Sequence, residues 1–114
     1  MMGVAALDDE TPVSKQTNAV LALGAKEAEL PKTTACIRCG RCVANCPFSL
    51  SPCDIAAAYK AKDVERLEKL KVNICMECGC CSYVCPAKKN IVQTNKLSKA
   101  MLRDYQMAKK EGNK

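Results

Sequence analysis

The sequence predicts a mainly α-helical domain that is held together by bound metal rather than by a large apolar core. The chain of 114 residues contains ten cysteines but one Phe and no Trp. A chain this small usually needs a metal, disulfides or a partner to stabilise it. Eight of the cysteines form two copies of one motif, and a helix-start signal follows each copy. Together these observations predict helices arranged around metal ligands.

Composition excludes several classes of function. Lys and Arg number 18 and Asp and Glu 12, giving a formal charge of +6, and histidine is absent. Mechanisms that use an imidazole base or a His metal ligand are therefore excluded. The length fits one compact domain with a tail, which is too little chain for an ordinary hydrolase or kinase domain.

Residues 1–30 precede the cysteine motifs and are predicted to be an extended segment followed by a linker. Short apolar runs at Pro12–Val13 and at residues 18–23, separated by polar residues, predict a β-strand or hairpin. Residues 25–34, which include Pro31, are predicted to continue as a linker.

Neither a secretory signal nor a membrane-spanning segment is predicted in the chain. The N-terminus lacks a basic region and becomes acidic at Asp8. The longest run of Ala, Val, Leu and Gly covers residues 19–25, far fewer than the ~20 residues that a spanning helix needs. We therefore expect a reducing cytosol, where thiols bind metal or carry out redox chemistry.

Residues 31–114 contain an internal duplication. The first copy covers residues 36–47 and reads C-x2-C-x2-C-x3-C-P; the second repeats the same spacing over residues 75–86. Every cysteine of the first copy has a counterpart 39 positions later, and Gly40 corresponds to Gly79. Two complete copies in register are a far more specific signal than an isolated C-x2-C pair.

Each cysteine loop is predicted to lead into a helix. Ser51 can cap a helix that has Pro52 at its first position and runs through residues 55–59, and Asn90 occupies the equivalent place after the second motif. A further helix is predicted from Asp63, with Val64, Leu67 and Leu70 on one face. The last helix is predicted from about residue 91, with one apolar stripe formed by Leu97, Met101, Tyr105 and Ala108.

The cysteine spacing predicts two [4Fe–4S] clusters with crossed ligation. Three cysteines at x2 spacing can bind one cluster, and the fourth, followed by Pro, binds the other cluster in two-cluster ferredoxins. The cluster I set is then Cys36, Cys39, Cys42 and Cys85. The cluster II set is Cys75, Cys78, Cys81 and Cys46. We expect metal binding and folding to be coupled, and positive φ angles at Gly40 and Gly79.

Two other metal or thiol schemes compete with this one. Two structural zinc sites with four thiolates each are disfavoured, because three ligands at x2 spacing are crowded for zinc. A disulfide framework is disfavoured by the expected reducing compartment. Cys53 and Cys80 lie outside the motifs and are interpreted as packed thiols; the alternative is that Cys80 substitutes as a ligand or tunes cluster II through its S–H group.

The charges suggest further properties. Arg38 and Arg41 flank the cluster I set and Glu77 flanks the cluster II set, which predicts a higher reduction potential for cluster I. The basic tail, residues 88–114, is a solvated helix face or a surface that steers an acidic redox partner or an anionic membrane. No nucleic-acid binding is predicted, because aromatic residues do not interleave with the basic ones.

The motifs resemble the iron–sulfur region near the C-terminus of the RnfC family, a component of the Rnf electron-transport complex. The resemblance is carried by residues 36–47, by residues 75–86 and by Ile91–Gln93. Met1–Gly3, Pro12–Val13 and Leu21–Leu23 are similar to the segment that leads into those motifs, which implies that residues 1–30 are the remnant of an upstream domain. The 28 residues between Cys46 and Cys75, with the helix caps, suggest an α-helical ferredoxin domain over residues 31–114.

The resemblance implies membrane-associated electron transfer between ferredoxin and NAD, coupled to translocation of Na+ or H+ by other subunits. It implies a peripheral position on the cytoplasmic side of the cell membrane, with other subunits of the complex and ferredoxin or flavoprotein as partners. FMN and NADH would bind only to the missing upstream part, so the chain would not be catalytic by itself. The alternatives are a stand-alone or heterodisulfide-reductase-like ferredoxin electron carrier and, in another class, a zinc-binding interaction module.

Overall fold

The computed structural model describes residues 6, 8–15 and 17–111, and this part of the chain is mainly helical. It contains six α-helices and one short 3-10 helix, Val72–Ile74. The α-helices are α1 (Ala25–Ala28), α2 (Arg41–Ala44), α3 (Pro52–Lys60), α4 (Val64–Lys69), α5 (Cys80–Tyr83) and α6 (Ile91–Glu111). The predicted mainly α class is confirmed.

No β-strand is present in the described ranges, so the predicted strand or hairpin at Pro12–Val13 and residues 18–23 is not confirmed. The side chains of Val20, Leu21 and Leu23 are exposed, that of Val20 by 78%. A strand needs a neighbouring strand for its backbone groups, and none is described beside this segment. Helix α1 begins inside the predicted linker, where the backbone N–H groups of residues 27 and 28 donate to the Gly24 carbonyl. Met1–Gly3 lie outside the described residues.

Helices α3 and α4 begin where the sequence predicts. Ser51 precedes α3 and Pro52 is its first residue, but the Ser51 hydroxyl donates to the Asp54 carboxylate rather than capping the backbone. Asp63 does cap α4, because its Oδ1 accepts a hydrogen bond of 2.9 Å from the Arg66 backbone N–H. The structure therefore confirms both helix starts and shows a side-chain cap at the second only.

Helix α6 packs against α3, α4 and the 3-10 helix and closes the main core. This core consists of buried residues from five segments: Leu50, Ile55, Ala58, Leu67, Val72 and Leu102. Val64 and Leu70 pack against it from α4, so the predicted apolar face of that helix is confirmed. Within the described ranges no helix is both long and apolar enough to cross a bilayer.

The predicted apolar stripe of α6 is not the face that the helix buries. Its buried residues are Ile91, Asn95, Ser98 and Leu102, whereas Leu97 and Tyr105 are exposed and Met101 is partly buried. The helix is rotated away from its most apolar face because Asn95 and Ser98 make hydrogen bonds in the interior, to the Cys75 sulfur and the Thr94 carbonyl. A buried polar group is tolerated when it is hydrogen-bonded.

Candidate metal centre

The two cysteine loops have the same backbone conformation. Positive φ angles occur at three pairs of positions, each 39 residues apart: Arg38 and Glu77, Gly40 and Gly79, Ser49 and Lys88. Gly40, with φ 73°, starts α2 and Gly79, with φ 82°, starts α5. The left-handed turn that the sequence predicts at both glycines is confirmed, since only Gly adopts it without steric cost. Each glycine turns the chain into the short helix that carries the third cysteine of its motif.

The four cysteines of the cluster II set line one cavity. Cys75, Cys78 and Cys81 come from the second motif, whereas Cys46 comes from the first. The cavity has a volume of about 20 Å³ and is otherwise lined mainly by apolar side chains, among them Phe48, Leu50, Met76 and Val92. Cys46 and Cys75 also pack against the same apolar core. The fold therefore places the fourth cysteine of one motif beside the other motif.

The cluster I set is more open. Cys42 packs against a second small apolar cluster that contains Cys85, Ala87, Ile91 and also Cys81 of the cluster II set. The first motif is joined to this region by a backbone hydrogen bond of 3.1 Å from Thr34 N–H to the Ala87 carbonyl. Cys36 and Cys39 are exposed. Cys42 and Cys85 thus share one environment, while the first two cysteines of the motif lie at the surface.

Hydrogen bonds reach sulfur atoms of the cluster II set from outside the second motif. The backbone N–H of Leu50 donates to Cys46 Sγ at 3.4 Å, and the side-chain amide of Asn95 donates to Cys75 Sγ at 3.7 Å. Asn95 is 1% exposed, and its Oδ1 atom has no hydrogen-bond partner. Hydrogen bonds to sulfur are one of the means by which a protein sets a cluster potential.

Asn95 is a site residue that the sequence pattern did not predict. Its signal is the spacing of positions 91, 95, 98 and 102 along α6, which recur every three or four residues as a buried helix face does. A polar side chain on such a face has to find a partner, and here the partner is a cysteine sulfur.

Glu77 is paired with lysines of α6. Lys99 Nζ lies 2.7 Å from one oxygen of its carboxylate and 3.0 Å from the Cys75 carbonyl oxygen, and Lys96 Nζ lies 4.0 Å from the other carboxylate oxygen. The hydrogen bond from Lys99, helped by the charges of Lys99, Lys96 and Arg103, holds the pKa of Glu77 below its usual value. The negative charge beside the cluster II set is therefore matched by positive charge.

The two cysteines outside the motifs lie close to motif cysteines. Cys53 is half-buried, with its sulfur 3.5 Å from the Ser51 hydroxyl, and it neighbours Cys42; burial and this neighbour raise the pKa of Cys42. Cys80 is exposed and lines the cavity of the cluster II set. These contacts do not identify Cys53 or Cys80 as a metal ligand.

The donor set fits an iron–sulfur cluster. Among the described residues no three Cys, Asp or Glu side chains gather closely enough to hold a single metal ion, so the fit rests on sulfur chemistry and position. Burial raises the pKa of the Cys81 thiol to about 11, which keeps it protonated at neutral pH until a metal displaces the proton. The two left-handed turns and the hydrogen bonds to sulfur are features that such clusters require.

Comparisons with known proteins give the same chemistry. Residues 32–91 match a family model described as 4Fe-4S dicluster domain. The chain is 43% identical over 96% of its length to the RnfC subunit of the ion-translocating oxidoreductase complex of Rhodobacter capsulatus, and 40% identical over 90% to its counterpart in Methanosarcina acetivorans. It is also 41% identical, over 49% of its length, to the corresponding subunit of the Na(+)-translocating ferredoxin:NAD(+) oxidoreductase complex of Acetobacterium woodii.

These relatives are much longer proteins. The chain spans 21% of the Rhodobacter protein, 23% of the Methanosarcina protein and 13% of the Acetobacterium protein. The family model nevertheless covers more than half of this chain, including all eight motif cysteines. The chain belongs to the 4Fe-4S dicluster domain family, and over nearly its whole length it is similar to part of the RnfC subunits of ion-translocating oxidoreductase complexes.

Proposed function

We propose that the chain carries two [4Fe–4S] clusters and transfers single electrons as part of a membrane-associated ferredoxin/NAD(H) oxidoreductase complex coupled to ion translocation. The observation that carries this proposal is the cavity shared by Cys46 and three cysteines of the other motif. When bound, each cluster supplies a one-electron redox centre. Cys36, Cys39, Cys42 and Cys85 would hold cluster I, and Cys75, Cys78, Cys81 and Cys46 would hold cluster II.

The side chains around the cysteines would bind the clusters, shield them from water and fix their orientation. Apolar residues such as Leu50 and Val92 exclude water from the cluster II set, and Leu50 N–H and Asn95 donate hydrogen bonds to its sulfurs. With no histidine in the sequence, we assign no acid–base or nucleophilic role to the chain. Its contribution to an oxidoreductase is the position and potential of its redox centres.

The proposal also covers the partners of the chain and its location. Because the relatives named above are subunits of oxidoreductase complexes, its partners would be other subunits of such a complex. Its redox partner would be ferredoxin or a flavoprotein, and its place would be peripheral, on the cytoplasmic side of the membrane. FMN and NADH chemistry would belong to parts of such a complex that this chain does not span. Co-purification with membrane subunits and a flavoprotein separates this setting from a stand-alone or heterodisulfide-reductase-like carrier.

The first test is metal content. Anaerobically prepared protein should contain iron and acid-labile sulfide for two clusters, with broad visible absorption that bleaches on addition of dithionite. Zinc without sulfide, and no bleaching, would instead favour the zinc-binding interaction module.

The second test addresses the ligand sets. Potentiometric EPR should assign one signal to each set, and Cys85→Ala should remove the same signal as Cys36→Ala, while Cys46→Ala should remove the same signal as Cys75→Ala. Crossed ligation gives this pairing because the fourth cysteine of each motif serves the other cluster. If Cys46→Ala and Cys36→Ala remove one common signal, each motif binds its own cluster and the crossed scheme is wrong.

A further inference from the structure

The surface next to Cys85 contains an open depression with two free cations. It is lined by Arg41 and Asn45 from the first motif and by residues 83–86 and Lys88 from the second. Arg41 and Lys88 are exposed, and neither forms an ion pair with any residue that the structure describes. We call these lining residues the Arg41–Lys88 surface. It adjoins a cysteine of the cluster I set.

The chain segments that build this surface carry charge of one sign. Residues 30–53 contain three Lys or Arg and residues 78–103 contain five, and neither segment contains an Asp or Glu. Of these cations, Lys96 and Lys99 are paired with Glu77 on the cluster II side, and the charge of Arg103 also acts on that carboxylate. The other cations, among them Arg41 and Lys88, have no Asp or Glu within the same two segments to balance their charge.

The cluster I set is the more exposed of the two, and the depression reaches it at Cys85. Cys36 and Cys39 are exposed, whereas the cysteines of the cluster II set are buried or half-buried. Cys85 is itself buried, but it lines the depression together with Tyr83, which is 88% exposed. Electron transfer between proteins slows steeply with distance, so an exchange partner gains from docking beside a cluster ligand. Exposed aromatic and Arg side chains are typical of docking surfaces.

We propose that the Arg41–Lys88 surface docks an acidic electron-carrying protein that exchanges single electrons with cluster I. The proposal rests on the proposed function and adds the surface and the chemistry of the partner. In the exchange one electron leaves the reduced partner, which is oxidised, and cluster I is reduced by that electron. No bond forms or breaks and no proton moves. An anionic membrane would also attract these cations, but it would gain nothing from their position beside a cysteine of the cluster I set.

Electrostatic docking has a kinetic signature. Charge complementarity between two proteins accelerates association about 10- to 1000-fold at low ionic strength, and the acceleration disappears as salt is added. The probe is an acidic flavodoxin in its fully reduced form, whose one-electron oxidation gives a separate long-wavelength band. Mixed anaerobically with the oxidised holoprotein in a stopped-flow instrument, it should react with a second-order rate constant that falls as ionic strength rises.

Charge reversal at the surface tests the location. Arg41→Glu with Lys88→Glu should lower the low-salt rate constant by about tenfold or more and flatten its salt dependence. The matched control is Lys109→Glu with Lys110→Glu, which makes the same change in net charge on exposed residues at the far end of α6. The control should retain most of the rate and of the salt dependence. Arg41→Gln with Lys88→Gln should give an intermediate rate.

The outcomes separate this proposal from the proposed function. Iron content and reduction by dithionite are measured for every variant, and the Gln pair provides the comparison if the Glu pair loses its clusters. If the wild type accepts electrons from dithionite and flavodoxin but both surface variants react as fast as the control, the docking surface is wrong and the proposed function stands. If the wild type accepts no electrons from either reductant, the proposed function fails and the docking proposal with it. Loss of binding to phosphatidylglycerol vesicles in the surface variants, with the flavodoxin rate unchanged, would overturn the proposal in favour of a membrane contact.

Discussion

The Asn95 side chain illustrates how one buried amide can set a property of a redox centre. It is enclosed in the core, and its Nδ2 donates to Cys75 Sγ while its Oδ1 remains without a partner. A donor stabilises the more negative, reduced form of a cluster more than the oxidised form. In the proposed two-cluster protein the amide would therefore raise the reduction potential of cluster II, at the cost of one unsatisfied oxygen.

Replacement of Asn95 by Leu should lower that potential. Loss of a hydrogen bond to a charged group is worth about 1.5 kcal/mol, which corresponds to a fall of about 60 mV for a one-electron couple. Potentiometric EPR measures it: the cluster II midpoint should shift and the cluster I midpoint should stay. The control is Asn45→Ala, which removes an exposed amide that bonds only the Arg41 carbonyl. Equal shifts at both clusters, or none, would contradict the assignment.

Some of these residue-level features could be predicted from the sequence and others could not. The repeat identifies the eight cysteines, and it identifies Gly40 and Gly79 because both occupy one position of the loop. The ion pair between Glu77 and Lys99 spans 22 positions and has no periodic signal. The predicted higher potential of cluster I rests on Arg38 and Arg41 beside its ligands and on Glu77 beside the cluster II set. Two lysines surround Glu77, so the prediction now rests on the two arginines alone.

At the scale of the elements, the two helix starts that the sequence predicts differ in how they are stabilised. Asp63 accepts from the Arg66 N–H, whereas Ser51 bonds the Asp54 carboxylate. Ser and Asp both have side chains that can cap a helix, so only the folded structure shows which of the two does so. The first turn of α6 is held in a third way, because the Val92 N–H donates to the Ser82 hydroxyl of α5 at 2.9 Å. A contact across ten residues of chain is not visible in a local cap pattern.

The rotation of α6 gives a prediction that distinguishes the structure from the sequence pattern. Leu102 is 2% exposed in the main core, whereas Leu97, which the apolar stripe would bury, is 44% exposed. Leu102→Ala should therefore lower the free energy of unfolding by about 3 kcal/mol, through lost burial and the cavity left behind. Leu97→Ala should change it by less than about 1 kcal/mol. Anaerobic urea denaturation of the holoprotein measures both, and a larger loss for Leu97→Ala would restore the predicted stripe.

At the scale of the whole molecule, the spacing of the cysteines predicts the fold class. It does not predict the conformation of the N-terminal segment. Helices are predicted where caps and apolar spacing coincide, and the structure confirms three of them. Residues 18–23 have strand-forming side chains but no described neighbour to pair with. The radius of gyration, 16.4 Å, exceeds the about 13 Å of a compact domain of this length. The exposed N-terminal segment accounts for part of that difference. A strand-like pattern of side chains does not show whether another strand lies beside it to pair with.

The small core predicts that the whole molecule depends on bound metal for its stability. The main apolar cluster has six buried residues and the second has four, two of which are the motif cysteines Cys81 and Cys85. So few buried side chains contribute little against the conformational entropy of the chain. Crossed ligation would join residues 36–46 to residues 75–85 through sulfur, and cluster binding would then supply much of the folding free energy.

Removal of the clusters should therefore unfold the protein rather than leave an empty helical domain. Holoprotein treated with a chelator and an oxidant should lose most of its far-UV circular dichroism signal for helix and its cooperative thermal transition, and reconstitution with iron and sulfide should restore both. Cys46→Ala should destabilise the protein less than removal of both clusters, since it would remove one cluster and one connection between the motifs. The control is Cys53→Ala, which lies outside the motifs and should leave the thermal transition nearly unchanged. Iron-free protein that keeps its helical signal and melts cooperatively would show that the ten buried apolar and cysteine side chains are sufficient, and that metal binding follows folding instead of driving it.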